Sequence, residues 1–418
     1  MNTASLYDNF LNSKGVSTDT RTLEKEALFF GLRGPNFNGN LFAKEALEKG
    51  AIAVVMDDSK SNIDDDRVVV VENSLKALQK LATYHREQLN TKLIALTGSN
   101  GKTTTKELIR EVLSTKYKVL ATEGNLNNHI GVPLTLLRLK EDHEIGVIEM
   151  GANHPGEIAD LADITKPNWG YITNFGKAHL EGFGGIEGVI KGKSELYTYL
   201  KKNNKLAFID ATDAKQIELT KEIEKIPLDT SITISSTQPL LALNYNNEII
   251  DTQLIGAYNL NNIKAAIAIG EYYKISKKNI ITGISNYKPT NNRSQVVKKK
   301  SNTIVMDAYN ANPSSTRLAL ENLNEINHKH KIVILGDMFE LGTASEKEHQ
   351  NIVDFCDTLS LNRCVFVGEH YSKTSASEKY LTVESLIKNI TDTPLEKSYI
   401  LIKGSRGMCL EQLLECIN

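Results

Sequence analysis

Short apolar runs recur along the chain, each followed by helical spacing. Residues 92–96 (Lys-Leu-Ile-Ala-Leu) read as a strand, and Leu108, Ile109, Val112 and Leu113 then fall on one helix face. Residues 118–121, 144–149 and 169–174 repeat the strand signal. Such alternation predicts a mainly parallel sheet covered on both faces, over residues 91–292. Within it, residues 206–251 read as strand-like and polar. An alanine-rich helix follows through Gly270, then a second helix over 279–287. Residues 293–418 alternate again, with strands at 303–307, 331–335, 363–367 and 399–402. They predict a separate Rossmann-like, doubly wound domain. Residues 1–90 carry a helical stretch at 41–49 and strands at 51–56 and 67–71, a small α/β module. The expected class is α/β in three domains: 1–90, 91–292 and 293–418.

The turn after the strand at 92–96 concentrates the chemistry. Thr97-Gly98-Ser99-Asn100-Gly101-Lys102-Thr103-Thr104 joins strand to helix, the context in which glycines make a phosphate loop. Glycines let several N–H groups converge on one anion, and the helix start adds the positive end of its dipole. Lys102 supplies a cation for the terminal phosphates, and the Thr103 hydroxyl suits Mg²⁺. The usual first glycine is Leu96 here, so the pattern is a shorter variant, T-G-x-N-G-K-T. A tight turn with a surface lysine leaves the agreement of strand, glycines, Lys-Thr and helix unexplained. A nucleoside triphosphate site is expected.

Other polar loops end strands of the same domain. The loop 124–133 carries Asn125, Asn127 and Asn128, either turn formers or amide donors to phosphate oxygens. Glu149 closes an apolar strand, where it is either a solvated strand-end glutamate or a buried carboxylate that needs a partner, for which Mg²⁺ shared with the phosphates would serve. His179 and the lysines at 191 and 193 gain weight only from following a strand of this domain. In the C-terminal domain, the loops 307–313, 336–342 and 403–407 end strands of one sheet and so face one crevice. In the first domain, Arg21 and the surroundings of Phe37 fit either a grip on a phosphate-bearing ligand or ordinary turns and core.

Composition narrows the partners. At 418 residues, about three domains of roughly 150 residues are expected. A formal net charge of -2 offers no basic field for nucleic acid, so anionic ligands are held by local charges. The first ten residues lack a signal-peptide pattern, and no apolar stretch approaches the roughly 20 residues that span a bilayer. Cys356, Cys364, Cys409 and Cys416 show no metal-type spacing. A reduced, cytoplasmic setting is expected.

Together these stretches resemble the Mur ligase family, the ATP-dependent amide-forming enzymes of bacterial cell-wall synthesis. The resemblance covers essentially the whole chain. It rests on the phosphate loop, residues 124–133 and Glu149-Met150-Gly151-Ala152. Tyr309-Asn310-Ala311-Asn312-Pro313, Leu335-Gly336-Asp337-Met338 with Glu340-Leu341-Gly342, and Lys403-Gly404-Ser405-Arg406 point to one branch. That branch joins D-alanyl-D-alanine to UDP-N-acetylmuramoyl-tripeptide. The Asp-Asn-Pro-Arg block of the branch adding a diamino residue is absent.

The resemblance implies roles residue by residue. Gly98, Ser99, Asn100, Gly101, Lys102, Thr103 and Thr104 would hold ATP, with Lys102 on the γ-phosphate. Thr103, Glu149, His179 and Lys193 would hold Mg²⁺, Lys193 as a carbamate. Asn259 and Asn262 match adenine-side positions, and Arg293 and Asp307 match interdomain positions facing ATP. Asp19, Thr20, Arg21, Phe37, Asn38 and Gly39 match the uridine-diphosphate region. Asn127, Asn128, Asn310, Asn312, Lys403, Ser405 and Arg406 are expected on the substrate side. Departures include Thr20 for a serine, Asn38 and Asn40 for an acidic residue and a histidine, Tyr258 for a histidine, and Ser194 for a glycine. They bear mainly on individual uridine contacts. The implied reaction passes through an acyl phosphate, in a monomer. The competing readings are another Mur-type or folylpolyglutamate ligase, a phosphate-loop ATPase switch or motor, and a non-catalytic nucleotide-binding protein.

Overall fold

The computed structural model describes residues 2–58, 63–290 and 292–417. Its centre is a six-stranded, wholly parallel sheet. The order is Lys225–Pro227, Leu206–Ile209, Trp169–Ile172, Lys92–Thr97, Ile145–Glu149, Val119–Ala121. Winding reverses about the strand Lys92–Thr97, so a crevice opens at its C-terminal end. The helix Lys102–Ser114 starts there. Its buried Leu108, Ile109, Val112 and Leu113 pack with Ile94 and Leu96 of the strand, and with Ile263, Ala266 and Ile267 of the helix Leu260–Tyr272.

The C-terminal sheet runs Gln295–Lys299, Asn302–Asp307, Tyr399–Lys403, Lys331–Gly336, Arg363–Val367, Lys379–Tyr380. All pairs are parallel except the edge hairpin Gln295–Lys299 with Asn302–Asp307. Separate apolar clusters cover its two faces, as a doubly wound sheet requires. The first segment holds a four-stranded parallel sheet, Val16–Ser17, Leu28–Phe30, Ala53–Met56, Val68–Val70, and a small hairpin, Arg33–Gly34 with Phe37–Asn38.

Several elements depart from the sequence reading. Helices Thr3–Leu11 and Ser74–Gln88 were not anticipated. Residues 206–251 contain a helix, Ala214–Leu219, capped by Asp213, before the antiparallel meander Thr233–Ser236, Ala242–Tyr245, Glu248–Asp251. Lys191 and Lys193 lie in the last turn of the helix Ile186–Lys193, and Glu195 opens a second helix, Glu195–Lys202, after a break at Ser194. Finally, one apolar core passes through residue 90. Leu6, Phe10, Leu78, Leu81 and Ala82 pack in the same cluster as Leu93, Val132, Leu136, Ile148 and Leu161.

Candidate active site

The phosphate loop is held open by side chains around it. Gly101 has φ +77°, and a Cβ there would meet Asn262 Oδ1 at 2.6 Å. Gly98 has φ +144°, and its Cβ would strike Thr173 Oγ1 at 1.9 Å. Both positions therefore exclude a side chain, on backbone and on space. The Thr173 hydroxyl donates to Asn100 O at 2.6 Å, and Asn174 Oδ1 accepts from Asn100 N–H at 3.1 Å. Ser99 Oγ donates to Gly176 O and accepts from Gly176 N–H, both at 2.9 Å. Lys102 Nζ folds back onto Gly98 O at 2.7 Å and Ser99 O at 3.2 Å. Burial pushes its pKa down, Glu149 opposing and Arg293 adding to the fall.

Asn259 and Asn262 reach the same helix start. The Thr105 hydroxyl donates to Asn262 Oδ1 at 3.0 Å, and Asn262 Nδ2 donates to Asn259 Oδ1 at 2.8 Å. The chain behind Glu149 is also bonded. Buried Lys106 donates to Thr122 O at 2.5 Å, and Thr122 Oγ1 accepts from Glu149 N–H at 2.9 Å.

Glu149 tests the fit of a metal. Its side chain is buried; Oε1 accepts from Asn127 Nδ2 at 2.8 Å, but among the described residues Oε2 has no hydrogen-bond partner. A buried carboxylate oxygen without a donor is costly, and a cation satisfies it. Among the described residues no three or more His, Cys, Asp or Glu converge on a point. Mg²⁺ does not require such a cage: it keeps waters and takes one or two carboxylates together with phosphates. Glu149 and Thr103 on the cavity wall fit that mode.

Lys193 is fully buried, its Nζ 3.2 Å from Ala152 O and 5.1 Å from the Phe183 ring centroid. Burial, with the charge of Lys102, lowers its pKa to about 7. The neighbouring Glu195 caps another helix, accepting from Gly156 N–H at 2.6 Å and Ala159 N–H at 3.0 Å. His179 Nδ1 is paired with the Glu340 carboxylate. His179 holds Glu340 below the ordinary carboxylate range. Glu340 belongs to the C-terminal sheet's loops, so this pair crosses between the two sheets. Nothing local in the sequence marked it.

The C-terminal wall is organised by Asp307. Its Oδ2 accepts from Lys403 Nζ at 2.6 Å and its Oδ1 from Ser294 N–H at 3.0 Å; Lys403 also donates to Asn310 O at 3.1 Å. Lys403, expected on the substrate side, is buried, ties two loops together and also lines the cavity. Ser405, likewise expected on the substrate side, accepts from Phe339 N–H at 2.9 Å through its hydroxyl. The adjoining Asp337 was missed as a loop anchor. Its carboxylate accepts from His370 and Tyr371 N–H, each at 3.0 Å.

Most of these groups line one cavity of about 1060 Å³. It gathers Ser99 to Thr104, Asn127, Asn128, Glu149, His179, Asn259, Asn262, Arg293, Asp307, Asn310, Asn312, Lys403, Ser405 and Arg406. Gly98 and Lys193 lie behind its wall. The first-segment residues are elsewhere. Arg21 is exposed and forks onto Asp19, whose carboxyl it holds at about 2. The Thr20 carbonyl accepts from Lys49 Nζ at 2.9 Å. Exposed Phe37 stacks on Phe42 at 5.6 Å. Asn38 Oδ1 accepts from Asn40 N–H at 3.1 Å, and Gly39 N–H donates to Leu32 O at 2.7 Å. Asn40 goes on to bond Asp57, so the departures at 38 and 40 form one amide network.

A phosphate loop, an unsatisfied carboxylate and a second α/β sheet closing over both define a nucleotide-dependent enzyme of ligase architecture. Residues 12–86 match the model described as Mur ligase family, catalytic domain; 96–270 match the Mur ligase middle domain; 292–406 match the Mur ligase, glutamate ligase domain. The chain belongs to the Mur ligase family. It is 34% identical over 422 residues to the UDP-N-acetylmuramoyl-tripeptide--D-alanyl-D-alanine ligase of Bacillus subtilis (strain 168), covering 96% of this chain and 92% of that one. Among solved structures, MurF from Acinetobacter baumannii superposes with a TM-score of 0.85 at 30% identity, covering 99% of this chain and 97% of the other. MurF ligase from Thermotoga maritima in complex with ADP gives 0.83 at 26% identity, covering 97% of each.

Proposed function

We propose that this chain joins D-alanyl-D-alanine to UDP-N-acetylmuramoyl-tripeptide, with ATP converted to ADP and phosphate. The observation that carries the reading is the convergence, in one cavity, of the phosphate loop, the unpartnered Glu149 oxygen and the C-terminal strand-end loops. The tripeptide carboxylate attacks the γ-phosphorus, and ADP leaves. The amine of the dipeptide then attacks the acyl phosphate carbon, and phosphate leaves.

Each residue has a defined task. The loop N–H groups and Lys102 bind the phosphates, Lys102 leaving its carbonyl contacts to do so. Asn259 and Asn262 fix the helix start on the nucleotide side. Glu149, Thr103, His179 and a carbamoylated Lys193 would hold Mg²⁺. The metal supplies electrostatic stabilisation of the charge that builds on the transferring phosphoryl group. The segment 293–418 covers the site and keeps water from the acyl phosphate. Asp19, Thr20, Arg21, Phe37, Asn38 and Gly39 form the uridine-diphosphate surface, outside the reaction cavity. We divide the chain accordingly: substrate anchoring in 1–90, ATP in 91–292, closure and acceptor in 293–418.

The four unpaired cysteines support a reducing, cytoplasmic setting, and we infer a monomer. Among the described residues no helix is long and apolar enough to cross a membrane. The test is phosphate release from ATP with the uridine-linked tripeptide, with and without D-alanyl-D-alanine. Release that needs both, with the pentapeptide product seen by mass, is expected. Release indifferent to the dipeptide refutes the reading.

A further inference from the structure

The C-terminal wall offers three cations to the cavity, and they are not equivalent. Lys403 is buried and committed to Asp307 and Asn310. Arg293 and Arg406 are different: among the described residues neither guanidinium has an ion-pair or hydrogen-bond partner. Instead both stand over the ring of Tyr309, Cζ to centroid 3.5 Å for Arg293 and 5.3 Å for Arg406. A ring face holds a guanidinium through its quadrupole and leaves the in-plane N–H fork free for an oxyanion. The arrangement is two anion forks mounted on one aromatic ring and aimed at one cavity.

The two forks face different demands. Arg293 lies close enough to Lys102 to act on its charge, so it belongs to the phosphate end. Arg406 is exposed and begins the short turn Arg406–Met408 after the strand Tyr399–Lys403. The acceptor must attack as a neutral amine, so its remaining charge is the carboxylate at its other end. An extended dipeptide places that carboxylate about 7 Å from the amine. A carboxylate moved from water into a cavity needs a charged donor, preferably a bidentate one. Ser405, whose hydroxyl oxygen accepts from Phe339 N–H, has only one neutral O–H to give, whereas Arg406 offers a charged two-pronged fork.

We propose that Arg406, seated on Tyr309, binds the terminal carboxylate of the acceptor dipeptide and makes the enzyme select acceptors with a free acid terminus. The proposal rests on the ligase reading above and names the residue that reads the acceptor. Arg293, on the same ring, serves the phosphoryl end, so Tyr309 sets the spacing between the two anion sites.

The experiment uses the full chain with ATP and the uridine-linked tripeptide. It compares D-alanyl-D-alanine with its C-terminal amide, in wild type, Arg406→Ala and Arg406→Lys. Wild type is expected to favour the acid over the amide by about 10²-fold in kcat/KM, the scale of a lost charged hydrogen bond. Arg406→Ala is expected to bring that ratio to within a few-fold of one, by raising KM for the acid while KM for ATP stays put. Arg406→Lys keeps an intermediate ratio and supplies the comparison should the alanine variant not fold. A ratio unchanged in both variants, or a loss shared equally by acid and amide, overturns the proposal. Wild type that releases phosphate with neither acceptor overturns the ligase reading itself, a separate outcome from an unchanged ratio.

Discussion

Asn312 Nδ2 donates to Asn100 Oδ1 at 2.7 Å, joining the phosphate loop to a side chain 212 residues away. The same Asn312 is the N-cap of the helix Pro313–Glu325, its Oδ1 accepting from Ser315 N–H at 2.9 Å. One amide therefore fixes both the phosphate loop and the start of the helix Pro313–Glu325. Beside it, Lys177 N–H donates to Ser314 Oγ at 3.0 Å and Lys177 Nζ meets Glu348 at 2.7 Å. These bonds are polar, though Leu180, Leu240 and Ile255 also pack against the C-terminal core; polar contacts of this kind suit a joint that opens and closes with ligand.

Asn312→Ser separates its two duties, since serine caps a helix but is too short to reach Asn100. The thermal midpoint is expected to stay near wild type while dipeptide-dependent turnover falls about 5-fold, the scale of one hydrogen bond. Unchanged turnover with a lowered midpoint would show that the joint serves only the fold.

Lys102→Ala is expected to fold and to lose at least about 10²-fold in kcat, as when a key transition-state donor is removed. A melting curve checks the fold and phosphate release checks the rate. Near-normal turnover in the folded variant is the result that would remove Lys102 from the reaction.

Lys193 is expected to carry carbon dioxide. Carbon dioxide adds to a neutral amine, and with a pKa near 7 a large fraction of Lys193 is neutral at physiological pH. Its hydrogen-bond partner is a carbonyl, and Glu195 is engaged elsewhere. A carbamate resonance from ¹³C-labelled bicarbonate should appear in wild type and vanish in Lys193→Ala. Short carboxylates are expected to restore part of the activity of Lys193→Ala, whereas Lys193→Arg stays inactive. A fully active arginine variant would dismiss the carbamate.

The parts legible in the sequence were those whose signal is local. A strand, two glycines, Lys-Thr and a helix stand within a few turns of chain, and each strand-end loop carries its own polar cluster. Helix Ser74–Gln88 escaped because its buried face includes His85 and Arg86, which interrupt the apolar stripe. Arg86 is satisfied there by carbonyls of Thr165 and Leu89. The same helix explains why the core runs through residue 90: Leu78, Leu81 and Ala82 face the central sheet's cluster. Removing residues 1–90 would therefore bare an apolar surface, so substitutions such as Arg21→Ala are the sounder test of substrate anchoring. The sequence shows the charge of Lys403 but not Asp307 beside it, so their ion pair was not legible. The pairing of Glu340 with His179 escaped because the two lie far apart in the chain.

The last prediction concerns acid. His349 is fully buried, its Nδ1–H donating to Ser345 O at 2.7 Å and its Nε2 accepting from Met338 N–H at 3.0 Å. Protonation would put a second proton where Met338 N–H points. Burial holds its pKa below the ordinary 6.5, despite Ser345 O and the Asp337 carboxylate 3.8 Å away; the stacked His370 adds to the fall. In the unfolded chain the same ring protonates as pH falls through about 6.5. Between that value and the lower folded one, the unfolded state binds more protons. Stability from this group is thus complete above about pH 6.5 and is lost as pH falls through the folded value. His85, buried and lowered in the same way, contributes in the same window. Urea unfolding at pH 7.5 and 5.5 should show a smaller loss in His349→Gln than in wild type. Equal losses would mean that His349 takes no part in the acid sensitivity of the loop that carries Glu340.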